Sequence, residues 1–130
     1  MEFRIRTPTE GTVNITDQVA KVLEGLALRS GVCFVFVQHT SCAVTLTEDD
    51  GNLPNDLLGV LSTIAPKHAG YVHDRVDANA HAHIRAAIIG SSVYVPLTDG
   101  QLDLGTWQQL LLVEFDGPRE RTVRVRVLSD

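Results

Sequence analysis

Over Thr122–Leu128 polar and apolar residues alternate as far as Val127, with Val123, Val125 and Val127 on one side and Arg124 and Arg126 on the other. Successive side chains of a strand point to opposite faces, so this pattern demands a sheet with one face on a core and one in water. Glu2–Arg6 alternates in the same way, placing Phe3 and Ile5 together, and Ala43–Glu48 does so again. Val32–Val37 and Leu110–Phe115 are continuous apolar runs instead, and read as buried strands. Ser92–Pro96 adds a short strand, and Asp99-Gly100 is a hairpin turn signal.

Between these segments the period changes. Val19, Val22, Leu23 and Leu26 recur at helical spacing, with Thr16 or Asp17 placed to cap the helix and Gly31 to stop it. The cluster Asp49–Pro54 predicts a turn before a second helix over Asn55–Ala65, which Pro66 ends. Asn79 opens a third helix running to Ile89 and closed by Gly90, while polar Lys67–Asp77 reads as a loop. Three helices and six or more strands joined by short turns give an α+β class with a mainly antiparallel sheet.

The 130 residues suit one domain, because two cores would each be marginal at this length. A formal charge of −5 argues against nucleic acid as a partner. Apolar runs such as Leu110–Val113 are far shorter than the ~20 residues a membrane span requires, and Met1-Glu2-Phe3-Arg4 does not lead into a leader-type apolar stretch. A cytoplasmic protein without membrane contact is therefore expected. Cys33 and Cys42 lack CxxC spacing and are expected to be reduced thiols.

Histidine is the residue type that suggests chemistry. His68, His73, His81 and His83 are clustered, and His39 follows a core strand. Neutral imidazoles suit zinc, and three protein ligands with one open position form the usual catalytic zinc arrangement. Neither HExxH nor a helical i,i+4 pair is present, so by spacing alone surface or structural histidines are the more ordinary reading. On a helix His81 and His83 would point roughly 200° apart, so only one could face a given pocket.

Other candidates are less pointed. Glu48-Asp49-Asp50 could hold magnesium, supply a general base in Glu48, or form a solvated turn. Cys42, three residues after His39, suggests a thiol–imidazole pair, but odd spacing on a strand sends the two to opposite faces. Gly105-Thr106-Trp107-Gln108 holds the only tryptophan, either a core aromatic or the wall for a flat ring, with Gly105 allowing backbone approach. Arg119, at the turn Asp116-Gly117-Pro118-Arg119, could grip a phosphate or lie in solvent.

Taken in order, His39-Thr40-Ser41 with Glu48, Tyr71-Val72-His73-Asp74, Asn79–Ile84, Leu104–Gln108 and Phe115–Arg119 resemble the secondary thiamine-phosphate synthase, or YjbQ-like, family across nearly the whole chain. The resemblance implies a single domain over 1–130, built on an antiparallel β-sandwich with short helices and assembled as a homotrimer. It implies a pocket in which His39, His73 and His83 bind a divalent metal or an anion, with Glu48, Trp107 and Arg119 as neighbours. His83 is preferred because the position of His81 is usually acidic in the family. This chain departs from the pattern in a shorter turn after Glu48, in Cys42, and in the extra imidazole of His81.

Three functions follow as expectations. The first is thiamine-phosphate synthase activity of a secondary kind on phosphorylated small molecules, with Glu48 and Arg119 catalytic and Gly105, Thr106 and Trp107 contacting substrate. The second is a metal-dependent hydrolase with Glu48 as base, and the third a non-catalytic trimeric metal-binding module. Three imidazoles favour zinc over magnesium, which prefers oxygen ligands.

Overall fold

The alternating segments pair into two antiparallel sheets in the computed structural model, which describes residues 1–130. The strands are β1 (Glu2–Arg6), β2 (Gly11–Asn14), β3 (Gly31–Val37), β4 (Cys42–Thr47), β5 (Ser92–Thr98), β6 (Gln101–Leu102), β7 (Gln109–Glu114) and β8 (Glu120–Ser129). The helices are α1 (Thr16–Glu24), α2 (Leu53–Ile64) and α3 (Ala80–Ile89), with a single 3-10 turn at Val72–Arg75. One sheet has the order β1-β8-β3-β5-β6 and the other β2-β7-β4.

The two sheets face each other over the larger core. Cys33, Val35 and Val37 of β3, Val95 of β5, and Val123 and Val125 of β8 meet Val44 of β4 and Leu110 and Leu112 of β7, with Val19 and Leu23 of α1 closing one side. The opposite face of the three-stranded sheet carries a second core, where Ala43, Val113 and Phe115 receive Leu61 of α2 and Ala82 and Ala86 of α3. The three-stranded sheet is thus covered on both faces, which is why β7 is buried at nearly every position and apolar from Leu110 to Val113. The α+β class and antiparallel sheets match the sequence reading.

Four differences have local causes. β3 is buried on one face only, for Phe34 and Phe36 are each 40% exposed on the outer face of the five-stranded sheet. Helix α1 stops at Glu24 rather than Gly31, because Gly31 opens β3 at φ 151°, where a Cβ would collide with the Leu128 carbonyl oxygen. Thr16 does not cap α1; its hydroxyl accepts the Leu110 amide at 2.8 Å, tying the helix to β7. Short β2, pairing with β7 from Gly11↔Glu114 to Asn14↔Leu111, is an additional strand that carries no alternation of its own.

Candidate functional site

The pairing of β4 with β7 decides which candidates can meet. Cys42 stands opposite Glu114 and Thr47 opposite Gln109. Residues just before β4 therefore lie beside residues just after β7, and the residue after β4 lies beside those before β7. Over the six residues of β4 the two ends are separated by roughly 17 Å. His39, Thr40 and Ser41 thus join Asp116 and Arg119 at one end, and Glu48 joins Trp107 at the other.

The first end is anchored by an ion pair sealed between the sheets. Arg121 has the same strand parity as Val123 and Val125, and Glu114 the same parity as Leu110 and Leu112, so both side chains point into the sandwich. Glu114 is fully buried and Arg121 is 4% exposed. Arg121 Nε donates to Glu114 Oε1 at 2.7 Å, and Nη2 donates to Glu114 Oε2 and to Ser41 Oγ. The carboxylate also accepts the Thr7 hydroxyl and the amides of Phe115 and Asp116. Burial pushes the Glu114 carboxyl up, but the bonds from Arg121 and Thr7 outweigh it and hold it below the ordinary range. Gly117 is required nearby, since a Cβ there would strike the Pro8 carbonyl oxygen.

Arg121 Nη1 has no hydrogen bond within the chain. Only His81 Nδ1 and Arg124 Nε are fully buried without a partner, so Arg121 Nη1 opens on the adjoining cavity. That cavity, about 390 Å³, is lined by polar side chains, among them His39, Asn79, His83, Asp116 and Arg119. Arg119 is held on its own turn, donating from Nε to the Asp116 carbonyl at 2.8 Å and from Nη2 to Asp116 Oδ2 at 3.3 Å. Burial acts to raise the Asp116 carboxyl, but Asn79 and Arg119 beside it bring it below its ordinary value.

Each imidazole is oriented by a partner whose donor or acceptor role is fixed. The Thr122 amide donates to His39 Nε2 at 2.9 Å, so the hydrogen of the neutral His39 ring is on Nδ1. Burial and the Arg121 charge lower the His39 pKa and keep the ring neutral. His83 Nδ1 donates to the Thr40 carbonyl at 3.0 Å, leaving a lone pair on Nε2 of the neutral ring. Asn79 Nδ2 donates to Asp116 Oδ2, which turns Asn79 Oδ1 to accept from His73 Nε2 at 3.1 Å. The His73 and His83 rings meet edge to face, 5.0 Å between centroids.

The three histidines of the expected ligand set thus gather at one end, but not as three lone pairs. His39 presents an N–H, and no three His, Cys, Asp or Glu side chains of the chain are placed to hold one metal ion. A three-imidazole site does not fit this arrangement. His83 lines the cavity, whereas His81 points away, 7% exposed, with its Nδ1 unbonded. His68 is exposed in the turn after α2. Cys42 and Cys33 are free and buried, and burial raises each thiol to about 11, so Cys42 stays protonated beside His39.

The remaining candidates lie elsewhere. Glu48, Thr106 and Trp107 line a separate cavity of about 300 Å³ with Asn14, Asp49, Asp50 and Gln109. Trp107 is 72% exposed and is no core aromatic. Asp50 is taken up locally, its Oδ1 accepting the amides of Asn52 and Leu53 ahead of α2, and Gly105 donates its amide to Gln108 Oε1. Within one chain, then, Glu48 and Trp107 are not neighbours of His39 and Arg119, which removes Glu48 as a base for chemistry at the histidine end. Sequence reasoning missed Thr7, Asn79's bridging role, Glu114 and Arg121. The signal was available for two of them: an arginine and a glutamate on the inward parity of otherwise apolar strands.

No helix of the chain is long and apolar enough to cross a membrane. Residues 1–130 match the family described as UPF0047 protein YjbQ-like. A UPF0047 protein of Archaeoglobus fulgidus is 42% identical over 129 residues, covering 98% of this chain and all of the relative. The UPF0047 protein YugU of Bacillus subtilis is 31% identical, covering 95% of this chain and 93% of its own. A crystal structure of a hypothetical protein from Aeropyrum pernix superposes with a TM-score of 0.96 at 36% identity, covering 100% of this chain and 98% of that one. A conserved hypothetical protein from Thermus thermophilus gives 0.90 at 41% identity, covering 98% and 99%. Across its whole length, in sequence and in fold, this chain belongs to the UPF0047 YjbQ-like family.

Proposed function

We propose that the cleft between His39, His83, Arg119 and Arg121 binds the phosphate group of a phosphorylated small molecule. The observation that carries this reading is Arg121: a buried guanidinium, clamped by Glu114 and Ser41, with its one uncommitted nitrogen facing the cavity. A cation fixed in this way loses little freedom when an anion arrives, and guanidinium matches the oxygens of a phosphate. Arg119 and the His39 Nδ1–H supply further donors from the rim and floor.

Joining a hydroxymethylpyrimidine diphosphate to a thiazole phosphate, the activity in the family's alternate name, falls within this reading as a secondary activity, since both substrates carry phosphate. Trp107 does not flank the heterocycle in a site built by one chain, because it stands at the far end of the sheet. Calorimetric titration with inorganic phosphate and pyrophosphate tests the binding claim. Arg119→Ala, whose side chain is 54% exposed and removable without opening the core, is expected to weaken both ligands at least tenfold. Absence of binding to the unaltered protein, or unchanged affinity in the variant, would sink the proposal.

A divalent metal, zinc in preference to magnesium, is the second reading. It is favoured by the closeness of His73 and His83, whose Nδ1 and Nε2 make no bond within the chain. Two imidazoles leave the remaining ligands to come from outside the chain. On this reading zinc occupancy measured by metal analysis falls in His83→Ala and is unchanged in His39→Ala.

A further inference from the structure

The cleft offers hydrogen-bond acceptors as well as donors, and this restricts which oxyanion it can hold. The donors are His39 Nδ1–H, Arg119 and Arg121 Nη1. The acceptors are His83 Nε2, whose other nitrogen is bound to the Thr40 carbonyl, and the carboxylates of Asp77 and Asp116. Neither tautomer is a free choice: a backbone amide can only donate to His39, and a backbone carbonyl can only accept from His83.

We infer that the cleft selects a tetrahedral oxyanion that keeps a proton, taking hydrogenphosphate and rejecting sulfate, with His83 Nε2 accepting the P–OH hydrogen. This rests on the phosphate reading above and goes beyond it by naming the protonation state of the ligand. The two anions have the same shape, so contact with guanidinium distinguishes them poorly. Sulfate has no hydrogen at neutral pH. Placed in the cleft, it would turn a lone pair toward the lone pair of His83 and a full charge toward Asp116. An acceptor that the bound anion covers and leaves without a donor costs enough to shift affinity by roughly tenfold or more.

Asn79 supports the arrangement. It is 8% exposed and bonds both Asp116 and His73, so the acceptor side of the cleft is built as one bonded unit with the start of α3. Asp74 completes it by accepting the Ala80 amide at 3.0 Å. His83 and Asp116 are therefore held in place by the same network that orders the helix carrying His83.

The test is calorimetric titration of chelator-treated protein with inorganic phosphate and with sodium sulfate, at equal pH and ionic strength. Phosphate is expected to bind at least tenfold more tightly. His83→Ala should bring the two affinities within threefold, by raising sulfate affinity relative to phosphate. His39→Ala, which removes a donor, should weaken both anions and leave their ratio unchanged. Nitrogen NMR of the imidazoles supplies a readout that does not depend on variants: the His83 Nε2 resonance of the unaltered protein should shift on adding phosphate and stay in place with sulfate. Equal binding of both anions overturns the selectivity and leaves the phosphate reading standing. Binding of neither overturns both. A preference that survives in His83→Ala, or a resonance that does not respond, removes His83 from the role.

Discussion

The two ends of the three-stranded sheet are built on opposite principles, although both carry charged residues and a cavity. At the Glu114 end a carboxylate and a guanidinium are withdrawn from water and bonded at nearly every position, leaving one nitrogen for the cavity. At the Glu48 end the carboxylates are exposed, Asp49 is held by Asn14 alone, and Trp107 stands in solvent. Charge that has been desolvated and then satisfied is rigid and directional. Charge on the surface is screened and free to reorient. The difference points chemistry to the first end.

The largest predicted effect breaks that end directly. Glu114→Ala leaves Arg121 buried without its counter-charge, which is expected to destabilise the fold by about 3–5 kcal/mol, read by chemical denaturation. Glu48→Ala at the other end should stay within about 0.5 kcal/mol. A loss at Glu114 no larger than at Glu48 would erase the contrast. The same pair sets an acid dependence. The folded Glu114 carboxyl lies below its ordinary value of 4.5, so its contribution is complete above that value and is lost as pH falls through the folded one. Denaturation followed over acid pH should show a steeper decline for the unaltered protein than for Glu114→Ala.

A smaller effect concerns the backbone rather than the ion pair. His39→Ala removes the acceptor of the Thr122 amide in the half-buried junction of β3 and β8, at a cost of about 1–2 kcal/mol. Thr122 should at the same time lose protection in amide hydrogen exchange. An unchanged exchange rate at Thr122 would mean that the bond fixing the His39 tautomer contributes nothing in solution, and the donor role of Nδ1 would lose its basis.

Much of this contrast could be read in the sequence, but not the pairing that creates it. The alternation of Val123, Val125 and Val127 gives β8 and its inward face correctly, and the same count carried back two residues reaches Arg121. An arginine on that face invites a buried partner, and Glu114, in step with Leu110 and Leu112, is the match. Neither residue belongs to a motif, so an inventory of histidines passes over both. Within one chain Glu48 and Trp107 stand apart from His39 for a different reason. Nearness in sequence places Glu48 close to His39, yet a strand lies between them, and antiparallel pairing with β7 carries the two to opposite ends. Strand order is a property of the whole core, and local periodicity does not contain it. The tautomers of His39 and His83 are likewise out of reach, because Thr122 and Thr40 contribute backbone groups that are independent of side-chain identity.

The smallest predicted effect sharpens the comparison from the exposed end. Trp107→Ala removes a side chain that is 72% exposed, so stability should change by no more than about 0.5 kcal/mol. Phosphate affinity should be unchanged as well, because Trp107 stands with Glu48 in a cavity of its own at the far end of β4 and β7. Titrating this variant beside Arg119→Ala places both ends on one scale: a loss of tenfold or more at Arg119 against none at Trp107. If phosphate affinity instead falls in Trp107→Ala while the fold is intact, one chain is not the unit that binds. The exposed end of a second copy would then be reaching the cleft of the first, and measuring affinity against protein concentration would show it, since such a site weakens on dilution.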